Sequence, residues 1–222
     1  LISSKNSGGA NLSSSNALLE LIADRAKGRR LIVFVCGFGG AGKTTLCHNL
    51  AAKMNPPGII FETDWYAKYP TKERRSRIES AIASKDGLLI EREENPKNWY
   101  DWSALISDLE SLKESGYLEL RNVWNQGTGE KDLSIDLQLP ASGDSVIICD
   151  GIYLLHDEIK FIADLIILLD TPMNACLERA AARDNHRSSK QYLDYKAHLA
   201  EKYDQPYFDR FRKNAHLVIP TM

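Results

Sequence analysis

Continuous apolar runs alternate along this chain with stretches in which apolar side chains recur every three or four residues. Residues 31–36 (LIVFVC) have no polar position, and 58–61, 146–149 and 165–169 repeat the pattern. A run of strand length without alternation marks a strand buried on both faces, as parallel sheets require. Between these runs lie helical patterns over 16–27, 43–53, 71–84, 103–115, 173–182 and 191–202. In the first, Leu18, Leu19 and Ile22 share a face, with Asn16 able to cap and Gly28 to terminate it. Leu105, Leu109 and Leu112 form the apolar stripe of the fourth. Residues 217–219 read as a last short strand. Strands alternating with helices predict an α/β fold with a mostly parallel sheet. No internal repeat or linker divides it, so one domain is expected over 16–222. Residues 1–15 are rich in Ser, Gly and Asn and are expected to form a flexible tail.

Composition narrows the function more than the fold. A chain of 222 residues can bury a sizeable core without a disulfide or metal staple. The net charge of −2 excludes a generally basic surface, so no nucleic-acid partner is expected. Mean hydropathy is −0.33, and no apolar run approaches the ~20 residues a membrane span needs. Without a charged-then-apolar leader, a cytoplasmic location is expected. The four cysteines (36, 47, 149 and 176) lie in apolar stretches at no metal-ligand spacing, which predicts reduced core residues.

One segment carries specific chemistry. Gly37-Phe38-Gly39-Gly40-Ala41-Gly42-Lys43-Thr44 matches G-x-x-x-x-G-K-[ST], with a predicted buried strand before it and a helix after it. Glycines let backbone N–H groups turn inward onto phosphate oxygens, and the helix N-terminus adds its partial positive charge. Lys43 would then bridge the outer phosphates of a nucleoside triphosphate, Thr44 would ligate Mg²⁺, and Thr45 would lie against the phosphates.

The loop fixes the triphosphate, not the reaction. The strand over 146–149 runs into Asp150, placed to hold Mg²⁺ through water. Gly151 stands where motor ATPases carry a water-activating Glu. No Asp is followed three places on by Gly, and N-K-x-D is absent, which disfavours a GTPase. Transfer to an acceptor remains. The strand over 58–61 leads into Glu62-Thr63-Asp64-Trp65-Tyr66, and strand C-terminal ends face the ligand crevice in such sheets. A carboxylate there can take the proton of an acceptor hydroxyl, which points to Asp64 as base.

These segments together resemble the phosphoribulokinase/uridine kinase family, which includes pantothenate and nicotinamide riboside kinases. Thr63-Asp64-Trp65-Tyr66 is similar to the family's D-x-[FY], whose Asp is the catalytic base. Residues 96–102 (PKNWYDW) are similar to P-x-x-[FY]-D-[FW] with one residue inserted, and Asp150-Gly151-Ile152 to E-G-[IL]. Leu169-Asp170-Thr171, Arg179, Arg183-Asp184 and Arg187 resemble the arginine lid, and Val218-Ile219-Pro220 the closing strand. Three departures stand out. Asp150 replaces the usual Glu, one paired lid arginine is Ala, and Val123-Trp124-Asn125-Gln126-Gly127 occupies the region of the acceptor-side H-x-R.

The resemblance implies a three-layer P-loop kinase with a mostly parallel five-stranded sheet, an acceptor subdomain over about 64–140 and a lid over about 183–192. It implies ATP and Mg²⁺ as donor and cofactor. Catalysis would rest on Asp64, Lys43 and Arg183. The phosphates would contact Gly37, Gly39, Gly40, Ala41, Gly42, Lys43, Thr44, Thr45, Arg183 and Arg187. The acceptor would be bordered by Asp64, Tyr66, Tyr100, Asp101 and Trp124, with Asp101 holding a vicinal diol. Thr44 and Asp150 would place the metal. A small-molecule acceptor is the expected partner, and a homo-oligomer is compatible. A nucleoside is the first-choice acceptor, with pantothenate, nicotinamide riboside or a sugar open. A non-catalytic nucleotide-binding sensor is the competing class.

Overall fold

A computed structural model describes residues 15–141, 143–184 and 190–221. The chain runs α1 (Ser15–Ala26), β1 (Arg30–Cys36), α2 (Lys43–Lys53) and β2 (Ile59–Glu62), then a 3₁₀ turn over Thr63–Tyr66. Next come α3 (Thr71–Ser84), α4 (Gly87–Glu94), α5 (Trp102–Ser115), β3 (Tyr117–Val123) and β4 (Leu133–Gln138). The last third holds β5 (Ser145–Asp150), β6 (Leu165–Asp170), α6 (Met173–Asp184), α7 (Lys190–Leu199), α8 (Gln205–Phe211) and β7 (Leu217–Pro220).

Five strands form one sheet in the order β2-β5-β1-β6-β7, every pair parallel. The three inner strands β5, β1 and β6 are buried almost throughout, which is why they read as unbroken apolar runs. Leu18 and Ile22 of α1, Cys47 and Leu50 of α2, and Leu105, Leu109 and Leu112 of α5 join them in one core. All four cysteines are buried free thiols. Among the described residues no helix is long and apolar enough to cross a membrane.

Register decides what meets at the sheet's C-terminal edge. Val35 pairs with Asp150, and Asp150 pairs with Glu62. The loop after β1 and the turn after β2 therefore flank the end of β5. The glycine-rich loop, Asp150 and Asp64 reach one edge although more than a hundred residues separate the first two in sequence.

The structure departs from the sequence reading in several places, the helix α4 among them. The strand read at 58–61 lies at Ile59–Glu62. An antiparallel hairpin, β3 with β4, was not read, although Leu118 and Leu120 alternate opposite Leu137 and Ile135. The helix expected over 191–202 ends at Leu199. A π-helical turn, Ala200–Asp204, follows it and leads into α8. Pro206 has no N–H to give the carbonyl four residues back, so the α-helical ladder cannot run on unbroken. The flexible tail expected over 1–15 and Arg187 in the lid fall outside the described residues, except for Ser15, which opens α1.

Candidate active site

The glycine-rich loop is shaped by its neighbours. Gly40 has φ +94°, and a Cβ there would stand 2.3 Å from the Cys176 carbonyl oxygen. Gly42, at φ +93°, precedes the first turn of α2. Phe38 anchors the loop by packing on Phe208 of α8, ring centroids 4.4 Å apart. Lys43 is buried and donates to the Phe38 carbonyl at 3.1 Å, across the concave side of its own loop.

Thr44 donates to Asp150 Oδ2 at 2.6 Å. Thr63 fixes the end of β5 by donating to the Asp150 carbonyl at 2.8 Å. Gly151 is required here, since a Cβ would stand 2.1 Å from the Thr63 hydroxyl. The hydroxyl and carboxylate at this edge are hard oxygen donors. Magnesium sites use one or two carboxylates with substrate phosphates, so these residues fit that ion.

Asp64 lies on the 3₁₀ turn after β2 and accepts a hydrogen bond from the Tyr100 hydroxyl at 3.0 Å. Tyr100 is brought there by a short backbone splice: Ala67 bridges Tyr100, Lys68 N–H donates to the Trp99 carbonyl and Asp101 N–H to the Tyr66 carbonyl. Burial raises the Asp64 carboxyl above its ordinary value. The Tyr100 bond and the charges of Lys43 and Arg74 pull it partly back. Arg74 belongs to a run, KERRSR, that looks like a solvated helix face in sequence. Its guanidinium packs over Trp99 at 4.4 Å, which holds it near Asp64.

The other expected acceptor residues are only partly brought together. Tyr66 turns away from Asp64. Its ring stacks on Phe61 and its hydroxyl donates to Asp108 at 2.8 Å. In a 3₁₀ turn side chains step by about 120°, so residues two apart diverge. Tyr66 thus packs in the core rather than against Asp64. Asp101 is exposed and caps α5, accepting from Ala104 N–H at 3.1 Å. One of its oxygens accepts from the helix N-terminus, and the other accepts no hydrogen bond among the described residues. Trp124 lines a cavity of about 390 Å³ with Ile60, Glu62, Trp65, Asn125 and Leu133, and Asp64 is not in its wall. The Trp124 indole N–H is buried without a partner among the described residues. Arg183 lies in the last turn of α6 and is exposed.

Two further groups were missed. Asp204, on the π-helical turn, accepts a hydrogen bond from Tyr153 and is raised by burial to about 6, with that bond and then the Lys43 charge opposing the rise. Glu94 is buried at the end of α4 and receives Lys202 at 2.6 Å, Tyr203 at 3.0 Å and Tyr195 at 3.3 Å. The only signal available in sequence was Pro206 after a helical stretch, which marks a break but not what the break presents.

A phosphate-binding loop whose threonine meets the aspartate ending a neighbouring strand, at the C-terminal edge of a parallel sheet, places the molecule among the P-loop kinases. The particular family follows from nearly the whole chain. Residues 32–222 match the Phosphoribulokinase / Uridine kinase family, and the chain belongs to it. A uridine kinase of Ureaplasma urealyticum is 24% identical over 196 residues, covering 85% of this chain and 87% of that protein. Uridine-cytidine kinase C of Dictyostelium discoideum is 28% identical over 173 residues, covering 78% of this chain and 34% of its own length. Among solved structures, D-glycerate 3-kinase from Cryptococcus neoformans superposes with a TM-score of 0.62 at 14% identity, covering 93% of this chain and 90% of that one. Phosphoribulokinase from Rhodobacter spheroides gives 0.57 at 11%, covering 83% and 69%. These likenesses support the fold.

Proposed function

We propose that the chain transfers the γ-phosphoryl group of ATP to a hydroxyl of a small metabolite, with a nucleoside as first-choice acceptor. The observation that carries this reading is the convergence at the sheet's C-terminal edge: Lys43 and Thr44 follow the glycine-rich loop after β1, Thr44 donates to Asp150 at the end of β5, and Asp64 follows β2, whose last residue pairs with Asp150. Loop amides from Gly37 to Thr45 cradle the phosphates and Lys43 neutralises their outer charge. Thr44 and Asp150 would hold Mg²⁺, which would supply charge neutralisation to the phosphates. Asp64 Oδ1 is aimed by Tyr100, and the carboxylate takes the acceptor's proton as its oxygen attacks. Arg183, in the last turn of α6, would add a further cation for the phosphates. The segment over about 64–140 serves as the acceptor subdomain.

The uridine kinase relatives support a nucleoside. A second reading, a smaller polyhydroxylated acceptor such as a sugar or sugar acid, is favoured by one observation: the Tyr66 ring, expected to border the substrate, is buried on Phe61 with its hydroxyl on Asp108. The test is ADP release from ATP and Mg²⁺ with uridine, cytidine, pantothenate, nicotinamide riboside, D-fructose and D-glycerate supplied separately. Stimulation by uridine or cytidine sustains the first reading, and stimulation by D-fructose or D-glycerate alone sustains the second. ADP release unchanged by every acceptor would refute the kinase and favour a nucleotide sensor.

A further inference from the structure

A second carboxylate–phenol pair stands beside that of Asp64 and Tyr100, contributed by a distant part of the chain. Asp204 closes the π-helical turn, and its Oδ1 is held by the Tyr153 hydroxyl. Tyr153 is buried, with its ring edge-on to Tyr207 at 4.9 Å and 6.4 Å from the ring of Tyr100. Tyr100 in turn holds Asp64. Asp64–Tyr100 and Tyr153–Asp204 therefore form two carboxylate–phenol pairs, ring beside ring, and the Lys43 charge reaches both carboxylates. In each pair the phenol takes one oxygen, and the second oxygen has no hydrogen bond among the described residues.

The turn that carries Asp204 is fastened on its far side. Lys202 and Tyr203, the two residues before it, both donate to buried Glu94. π-Helical turns inside helices recur at functional sites because the extra residue re-aims a side chain. A carboxylate half-buried without a cation in hydrogen-bond contact is costly for the fold, and such groups mark sites kept for binding.

We infer that Asp204 is a specificity-determining residue of the acceptor site, its unclaimed oxygen receiving a second hydroxyl of a polyhydroxylated acceptor while Asp64 addresses the hydroxyl that is phosphorylated. This rests on the kinase reading above and adds the chemical class of the acceptor: at least two hydroxyls, with no anionic group between them. Tyr153 is a positioning residue, since it acts through Asp204.

The test uses the full chain and its Asp204→Asn and Tyr153→Phe variants. The probes are uridine, 2′-deoxyuridine, 3′-deoxyuridine, D-fructose and D-glycerate, with ATP and Mg²⁺. Asn keeps an oxygen for Tyr153 and the same volume, so folding is expected to survive, checked by the melting temperature. In Asp204→Asn the acceptor KM should rise about 10- to 100-fold, since a hydrogen bond to a charged group is lost, while kcat and the KM for ATP stay near wild type. Discrimination against whichever probe lacks the second hydroxyl should largely disappear. Tyr153→Phe should show a smaller rise of the same kind. An unchanged acceptor KM, or equal losses in kcat, ATP binding and melting temperature, would overturn the assignment. If wild type turns over none of these five probes, the kinase reading is judged separately on the full acceptor panel above. Thermal shift with Mg-ADP then decides: stabilisation by a probe that Asp204→Asn abolishes sustains the inference, and no stabilisation by any probe overturns it.

Discussion

Replacing Tyr100 with Phe isolates one hydrogen bond at the base. The Tyr100 hydroxyl stays protonated at working pH, because burial and the neighbouring Asp64 charge push it well above its ordinary value. It therefore donates to Asp64 and favours the carboxylate form. Phe keeps the ring contacts with Trp102 and Tyr153 and removes only the donor. A hydrogen bond to a charged group contributes about 1.5–3 kcal/mol, and a factor of ten costs about 1.4 kcal/mol. Without the bond, protonation of Asp64 becomes easier by roughly 10- to 100-fold. The sign follows: the Asp64 pKa, already raised by burial, rises further, so the loss falls on the acid side. The assay is the pH profile of kcat/KM for the acceptor. On its acid limb Tyr100→Phe should fall about 10- to 100-fold below wild type at equal pH, with the alkaline plateau close to wild type. Superimposable profiles would refute the tuning role. A uniform drop at every pH would instead make Tyr100 a substrate contact.

Lys43→Ala should abolish turnover by on the order of 10²-fold or more, since the developing phosphoryl charge loses its counter-ion; single-turnover kinetics at saturating ATP check this. Asp64→Asn should leave ATP binding near wild type and reduce transfer about 10²- to 10⁴-fold, measured by titration and by ADP release. Gly40→Ala should impair nucleotide binding and lower the melting temperature. The new Cβ meets the Cys176 carbonyl at 2.3 Å in a backbone region costing a side chain about 1–3 kcal/mol, and wild-type ATP affinity in this variant would contradict the loop geometry.

The sequence alone determined the layered α/β plan, the glycine-rich loop and the two aspartates after their strands. Each is a local pattern: strands buried on both faces must be apolar at every position, and a phosphate cradle needs glycines at fixed spacing. The hairpin was legible too, in the alternation of Leu118 and Leu120 against Ile135 and Leu137, but charged residues on its open face masked it.

Tertiary structure alone decided which residues face the cleft. Tyr66 and Asp64 are two places apart in sequence yet diverge, because the turn between them is 3₁₀ rather than extended. Asp204 meets Tyr153, and Glu94 meets Lys202 and Tyr203, across separations of 51, 108 and 109 residues. No periodicity records such pairings. They arise because sheet order and a π-helical turn, set by the packing of the whole chain, aim side chains that the sequence lists only as scattered charges and phenols.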